Sequence, residues 1–459
     1  MTRLLLADLR RHASSWAWTV VVALMAGACV AGELQVLHGS LASAAGATGT
    51  TSQGAPVSAD LTDAARTVFG FIVTGVVLAA ASVLTATASL VIESRGRDHG
   101  LWRALGMRPG ALRALLLGQL ALVGAVGSLG GVALGRPVAS LMLPLLVDQQ
   151  VALPGTTPDW QPLDLAWTAL VVAGAVLLGG WSPARRASRA PESVLLAGRS
   201  GPVGRGAGRV LALLARLAVA AGCATGLVAA VVALHRGTLS AENTANAAVG
   251  GAFTALTLVC VLARWLVPTL ERLLALLPVP GPSWLVAART AAVESRRSAA
   301  TVLPFVVAIG LVAVMFGIRS AGVGNMRLSG FVSMFGLAFA TAWTGGVAAI
   351  AMSASRRRRD AALLRAAGAQ ERDVLTAQVL EGVLHSLCAV VLGLVVSVAT
   401  STLLAAALER PTGVVVRQGP WAALGVVGAM TVVTTCLAVL LSARAGGGES
   451  VGEVLRGRD

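Results

Sequence analysis

The sequence predicts an all-α polytopic membrane protein with about ten transmembrane helices. Three observations carry that reading. The chain is 56% hydrophobic and only 12% charged, where a soluble domain carries about 25% charge. Mean hydropathy is +0.79, too apolar for a surface facing water. Ten apolar stretches, near 16–37, 67–92, 112–135, 163–182, 210–234, 246–267, 301–319, 331–353, 374–407 and 420–442, are each near the ~20 residues that a bilayer core demands. The third and ninth are long enough to tilt or to reach beyond the bilayer.

The segments between the stretches alternate in charge. One set holds Arg3, Arg10 and Arg11, then Arg95 through Arg113, then Arg185 through Arg209, then Arg289, Arg296 and Arg297, then Arg356–Arg359 with Arg372, and finally Arg444, Arg456 and Arg458. The other set is poor in arginine: 147–162 carries Asp148 and Asp159 with no positive charge, and 38–66 carries only Arg66. Cytoplasmic segments of membrane proteins are the arginine-rich ones, which places both termini inside. Ten spans require termini on one side, so count and charge agree. The first span has a basic lead-in, and Ala26-Gly27-Ala28-Cys29 faintly resembles a lipoprotein cleavage box. Its apolar core outruns a typical signal sequence, and retention as a span is expected. The outer loops are short. The longest, 38–66, is rich in Ala, Gly, Ser and Thr and reads as a weakly ordered hairpin.

Composition also excludes several functions. The net charge is +15, but the arginines follow topology rather than forming a nucleic-acid face, and aromatic residues for base stacking are few. The sequence contains no lysine, so it lacks the Walker A residue that reaches the β- and γ-phosphates. Cys29, Cys223, Cys260, Cys388 and Cys436 all lie in apolar runs without C-x-x-C spacing and read as small buried hydrophobes. No metal-type or Ser/His/Asp cluster falls in a loop, so neither a metal site nor catalysis by this chain is expected.

An internal repeat organises the whole. Arg95, Arg97, Asp98, Leu101, Arg103, Ala104 and Gly106 recur as Arg357, Arg359, Asp360, Leu363, Arg365, Ala366 and Gly368, always 262 positions on (357 − 95). Each copy follows one span and precedes another. Residues 2–15 and 283–299 are both basic, amphipathic lead-ins, and Trp181–Arg186 and Leu441–Arg444 both close a last span. A self-similarity of this kind fixes the architecture before anything else. The layout is a first unit over 1–199, two linking spans over 200–278, and a second unit over 279–459. Six spans separate the copies, so the repeat is parallel; an inverted repeat needs an odd number.

Each copy reads as a short amphipathic helix. Leu101, Trp102 and Leu105, or Leu363 and Leu364, form its apolar edge, and Gly106 or Gly368 its C-cap. Such a helix either lies at the membrane interface as a simple elbow or docks in a groove of a cytoplasmic partner.

These segments resemble the FtsX/MacB-like permeases of ABC transporters, whose repeat pairs an R-x-x-E-I-x-x-L-R-A-x-G-type segment with a long following span. Arg97–Gly106 and Arg359–Gly368 carry the pattern. Glu381 fits the acid often found early in the next span, where the first copy has Gln119. Pro191-Glu192-Ser193-Val194-Leu195 fits the closing signature, and Glu453-Val454-Leu455 is a degenerate second copy. The resemblance covers nearly the whole chain. It implies two parallel four-helix units plus two linking helices. It also implies coupling helices that seat on a separate ABC ATPase, in two copies, which binds the ATP and Mg²⁺. The residues so implicated are Arg97, Asp98, Leu101, Trp102, Arg103, Gly106, Arg359, Asp360, Leu363, Leu364, Arg365 and Gly368. Many relatives carry a large extracytoplasmic domain. Its lack here sets aside mechanotransmission and lipoprotein release.

Glu381 and His385 lie four apart on one face of the ninth span. Intramembrane polar groups of this kind either pair between helices or pass protons. Arg356–Arg359 suits anionic lipid or the ATPase, or serves orientation alone. The glycines from Gly124 through Gly135 suggest close helix packing. The expected function is a transport permease in a bacterial plasma membrane that exports or extracts an amphipathic compound. The rivals are ATPase-driven signalling without cargo and, further off, an ion-coupled carrier.

Overall fold

The structure is a computed structural model and describes residues 8, 13–48, 56–191, 207–237, 240–293, 295–322 and 328–444. The described residues form fourteen helices and no strand. They are α1 (Ala13–Ala45), α2 (Val57–Ser94), α3 (Gly96–Ala104), α4 (Pro109–Asp148), α5 (Pro162–Arg189), α6 (Ala207–Arg236) and α7 (Ala241–Leu274). Then follow α8 (Pro282–Val293), α9 (Ser295–Ser320), α10 (Leu328–Met352), α11 (Ala354–Ala366), α12 (Glu371–Ala407), α13 (Thr412–Arg417) and α14 (Trp421–Arg444). Ten of them are long and apolar enough to cross a membrane. The chain is a multi-pass, all-α membrane protein.

Helix length corrects two expectations. Much of the expected loop over 38–66 is helix, because α1 continues to Ala45 and α2 starts at Val57. Packing holds the α1 extension: His38 Nδ1 sits 3.1 Å from Asp164 Oδ1, and the Asp159 amide donates to the Gln35 carbonyl at 3.1 Å. At the other end, α5 runs past the expected span end near 182, with Pro183 inside it, to Arg189. The added turns carry Arg186 to Glu93 of α2, 2.5 Å away. Helices α2, α4 and α12 have 38, 40 and 37 residues, a rise of roughly 55–60 Å, about twice the hydrocarbon thickness.

Two four-span bundles repeat one packing scheme. In the first, α1 packs on α2 and α4, and α5 on α2 and α4; in the second, α9 packs on α10 and α12, and α14 on α10 and α12. Small residues set the distance. A Cβ on Gly131 would meet the Gly27 carbonyl carbon at 2.5 Å, and one on Gly127 would meet Ala23 Cβ at 2.7 Å. Ala23, Gly27 and Ala31 thus face Gly127, Gly131 and Gly135 at four-residue spacing, the small-xxx-small device of membrane helices.

The bundles meet along α2 and α10. Gly75 lies against Phe335 and Val83 against Gly345. Both numbers rise together, so the two helices run parallel. Val83 and Gly345 are also repeat equivalents (345 − 83 = 262), so each meets its own counterpart, as expected on a two-fold axis. It follows that α3 and α11, which continue α2 and α10, emerge at the same, arginine-rich end.

The linking helices break the symmetry. Helix α7 packs on α12 and α9 of the second bundle and α6 packs on α7, with Gly310 of α9 against Leu256 of α7. Helix α8 lies against α12. Of the matching first lead-in, residues 2–7 and 9–12 fall outside the described residues.

Candidate functional site

Each elbow at the arginine-rich end is built from local rules. Helix α3 ends where Gly106 takes φ +93° and α11 where Gly368 takes φ +96°, a left-handed conformation that glycine adopts without strain. The capping bonds match as well. The Met107 amide donates to Trp102 O at 3.0 Å and the Gly106 amide to Arg103 O at 2.9 Å; Ala369 to Leu364 and Gly368 to Arg365 are both 2.9 Å. Both ends are Schellman caps. Beyond them, extended Arg108 and Gln370 start the next long helices.

The root of each elbow is a polar lock, buried in the first copy and half-buried in the second. In the first copy, Arg95 Nη2 donates to Asp8 Oδ1 at 2.5 Å and Gln119 Nε2 to Asp8 Oδ2 at 2.7 Å. In the second, Arg357 Nη2 lies 3.7 Å from Glu381 Oε1, and Gln378 Nε2 donates to the Arg357 carbonyl at 3.2 Å. The same two repeat positions meet in both. Gln119 therefore has a physical account: Asp8 supplies the carboxylate, so residue 119 must donate rather than accept. Buried charge is tolerable only when so paired. The departure from acid at 119 was the available hint that an acid arrives from elsewhere.

The tips project away from the bundle. Leu101, Ala104, Leu105 and Gly106 are exposed, and so are their counterparts Leu363, Ala366, Ala367 and Gly368. Leu105 is 85% exposed and Leu363 57%. The expected apolar edge therefore divides: Trp102 packs back on the core and Leu364 is half-buried, because both face the bundle, while Leu101, Leu105 and Leu363 face out.

The charged members of the set are mostly anchors. Arg103 Nη1 donates to Ser188 O at 2.6 Å, near the C-terminus of α5, where the helix dipole favours a cation. Its counterpart Arg365 lies 3.1 Å from Glu371 in the first turn of α12. Asp98 stands in the first turn of α3. Asp360 lies 4.0 Å from Arg356. Arg97 is exposed and Arg359 half-buried. Arg113 stacks 4.0 Å over the Trp181 ring.

Glu381 and His385 share a helix face but not a partner. Glu381 faces Arg357, whereas His385 Nε2 sits 3.4 Å from Glu271 Oε1 on α7. Sequence reasoning missed Glu271, which sits fully buried near the end of a linking helix and looks there like an ordinary terminal charge. The expected packing of Gly124–Gly135 is realised: Gly124 abuts Ala173 of α5, and Gly127 and Gly131 abut α1. The signature residues 192–195 and 453–455 lie outside the described residues. All five cysteines are free of disulfides.

The family model for the C-terminal part of FtsX-like permeases matches this chain twice, at residues 70–191 and 331–449. The chain belongs to the FtsX-like permease family. Each FtsX-like match starts inside α2 or α10, runs through the elbow and the long helix after it, and takes in α5 or α14. The family is one of non-enzymatic membrane subunits. Among curated proteins, no relative matches the chain.

Proposed function

We propose that this FtsX-like chain is the membrane subunit of an ABC transporter whose ATPase is a separate polypeptide, and that α3 and α11 are its two docking points. The observation that carries the reading is the pair of equivalent elbows at one end. Their caps are the same, and both present apolar tips to solvent. An exposed Leu101, Leu105 and Leu363 on otherwise charged helices is the pattern of a surface awaiting a partner. Two elbows suit two ATPase copies, which hold the ATP and Mg²⁺ that a lysine-free chain has no Walker A to cradle.

In this reading residues 1–199 and 279–459 are the working units and 200–278 their link. The arginine-rich end faces the cytoplasm of a bacterium, with both termini inside. ATP-driven closure of the ATPases rocks the bundles about the α2–α10 seam and exports, or extracts from the bilayer, an amphipathic compound. The arginine run 356–359 sits where anionic lipid headgroups and the ATPase are both within reach. Signalling without cargo is the second reading. The short outer connection at 46–56 favours transport, since it offers little for an outside partner to grip.

The test is co-purification with candidate ABC ATPases from the same organism. Complex formation and stimulated ATP hydrolysis should be lost when Leu101 and Leu363 are both replaced by Asp. Unchanged association in that variant, or in one lacking 95–106 and 357–368, would refute the docking assignment.

A further inference from the structure

Between the bundles, away from the elbows, α1 of the first bundle runs antiparallel along α10 of the second. The Thr19 hydroxyl lies 4.0 Å from Met352 Sδ, Thr344 Oγ1 donates to Met25 Sδ at 3.3 Å, and Cys29 Sγ sits 3.1 Å from Thr341 Oγ1. One turn beyond Cys29 on the same face is Glu33. The register carries it to the level of Leu337. Glu33 is 1% exposed, and among the described residues its Oε2 has no hydrogen-bond partner.

The repeat shows what the scaffold needs at this place. Gly27 of α1 meets Gly131, and Ile309 of α9 meets Gly393, the counterpart of Gly131. Helix α1 therefore maps onto α9 with an offset of 282 (309 − 27). The offset holds at a second contact: a Cβ on Gly75, counterpart of Leu337, would meet Leu311, counterpart of Cys29, at 3.4 Å. The counterpart of Glu33 is then Met315, which is 4% exposed. The same fold position is filled by an apolar side chain in one bundle and by a carboxyl group in the other. Packing does not require the acid, and burying it is costly. Ionisable groups held inside a membrane against such a cost mark ligand paths.

The surroundings suggest which ligand. Side chains a turn to either side of Glu33 on α1 are apolar and buried, among them Cys29, Val30 and Val36, and Leu337 of α10 packs on the core. A carboxyl group set among apolar side chains suits a positive centre carried on an apolar body.

We infer that Glu33 is a charge-recognition site for an amphipathic organic cation, bound between α1 and α10. This rests on the transport reading, since the seam is closed here and admits a ligand as the bundles rock apart.

Tetraphenylphosphonium and tetraphenylborate share a shape and differ in charge. Equilibrium dialysis of the full chain, with its ATPase, in lipid nanodiscs should show the phosphonium preferred. Glu33→Gln should weaken phosphonium binding roughly ten- to hundredfold, the range for losing a charged partner, and abolish the preference. Glu33→Asp should keep it. Glu33→Met, which copies Met315, should fold with unchanged or raised thermal stability and bind like Glu33→Gln. Phosphonium binding that ignores residue 33, or a wild type without preference, overturns the site. A chain that binds no ATPase yet binds the phosphonium through Glu33 overturns the transport reading and leaves the site standing.

Discussion

The two bundles share one plan and hold it together by different means. In the first, α1 and α4 approach through Gly27, Gly127 and Gly131, backbone against backbone. In the second, α9 and α12 approach with Ile309 set against Gly393, and α7 braces them from outside through Leu256 and Glu271. The first elbow is locked by a lead-in acid, Asp8, and the second by an acid of the long helix itself, Glu381. The lesson is that the repeat preserves contact positions rather than chemistries. An Arg at the elbow must find a carboxylate, and a long helix must find a small residue opposite. Where each comes from is free to differ. A bundle closed by glycine contacts is rigid, whereas one braced by a third helix depends on that helix.

The sharpest break of this comparison is Gly131→Ala against Gly310→Ala. The first Cβ meets backbone at 2.5 Å and the second meets the far end of a side chain, Leu256 Cδ1, at 2.3 Å. Backbone cannot yield cheaply and a leucine tip can, so Gly131→Ala should cost about 3 kcal/mol and Gly310→Ala about 1, within the range for overpacking. Unfolding midpoints in detergent measure the difference. Equal costs would mean that the two seams are equally yielding.

Next in size is the lock. Asp8→Asn leaves Arg95 buried without its counter-charge and should cost about 3 kcal/mol, as for broken buried pairs. Adding Gln119→Glu to that variant rebuilds the second bundle's arrangement and should restore most of the loss. A double variant no more stable than Asp8→Asn alone would show that the two locks are not interchangeable. Smallest in stability is the tip: Leu101→Asp or Leu363→Asp should leave the unfolding midpoint within about 0.5 kcal/mol, as exposed sites do. Each should weaken ATPase association by a similar factor, read by co-purification at graded ATPase concentration. A tip that matters alone would make the elbows unequal.

Much of the frame was legible because its causes are local. Span number follows from hydropathy, and the Gly106 and Gly368 caps from glycine's freedom at positive φ. The elbows were legible because they occur twice. Asp8, Glu271 and Glu33 were not. A helix-borne acid reveals its role only through what another helix brings to it, and 87 positions separate Asp8 from Arg95. The separate partners of Glu381 and His385 were hidden for the same reason. Residues four apart share a face, but each faces a different neighbour, α11 and α7.

The central claim is that two equivalent elbows receive an ATPase on one face of the membrane. Single cysteines at Leu105 and Ala367, repeat equivalents and both exposed, in a background without the five native cysteines, test it directly. A membrane-impermeant maleimide should label both from the cytoplasmic side only, and the bound ATPase should protect both. Labelling of the two from opposite sides, or protection of neither, would contradict it.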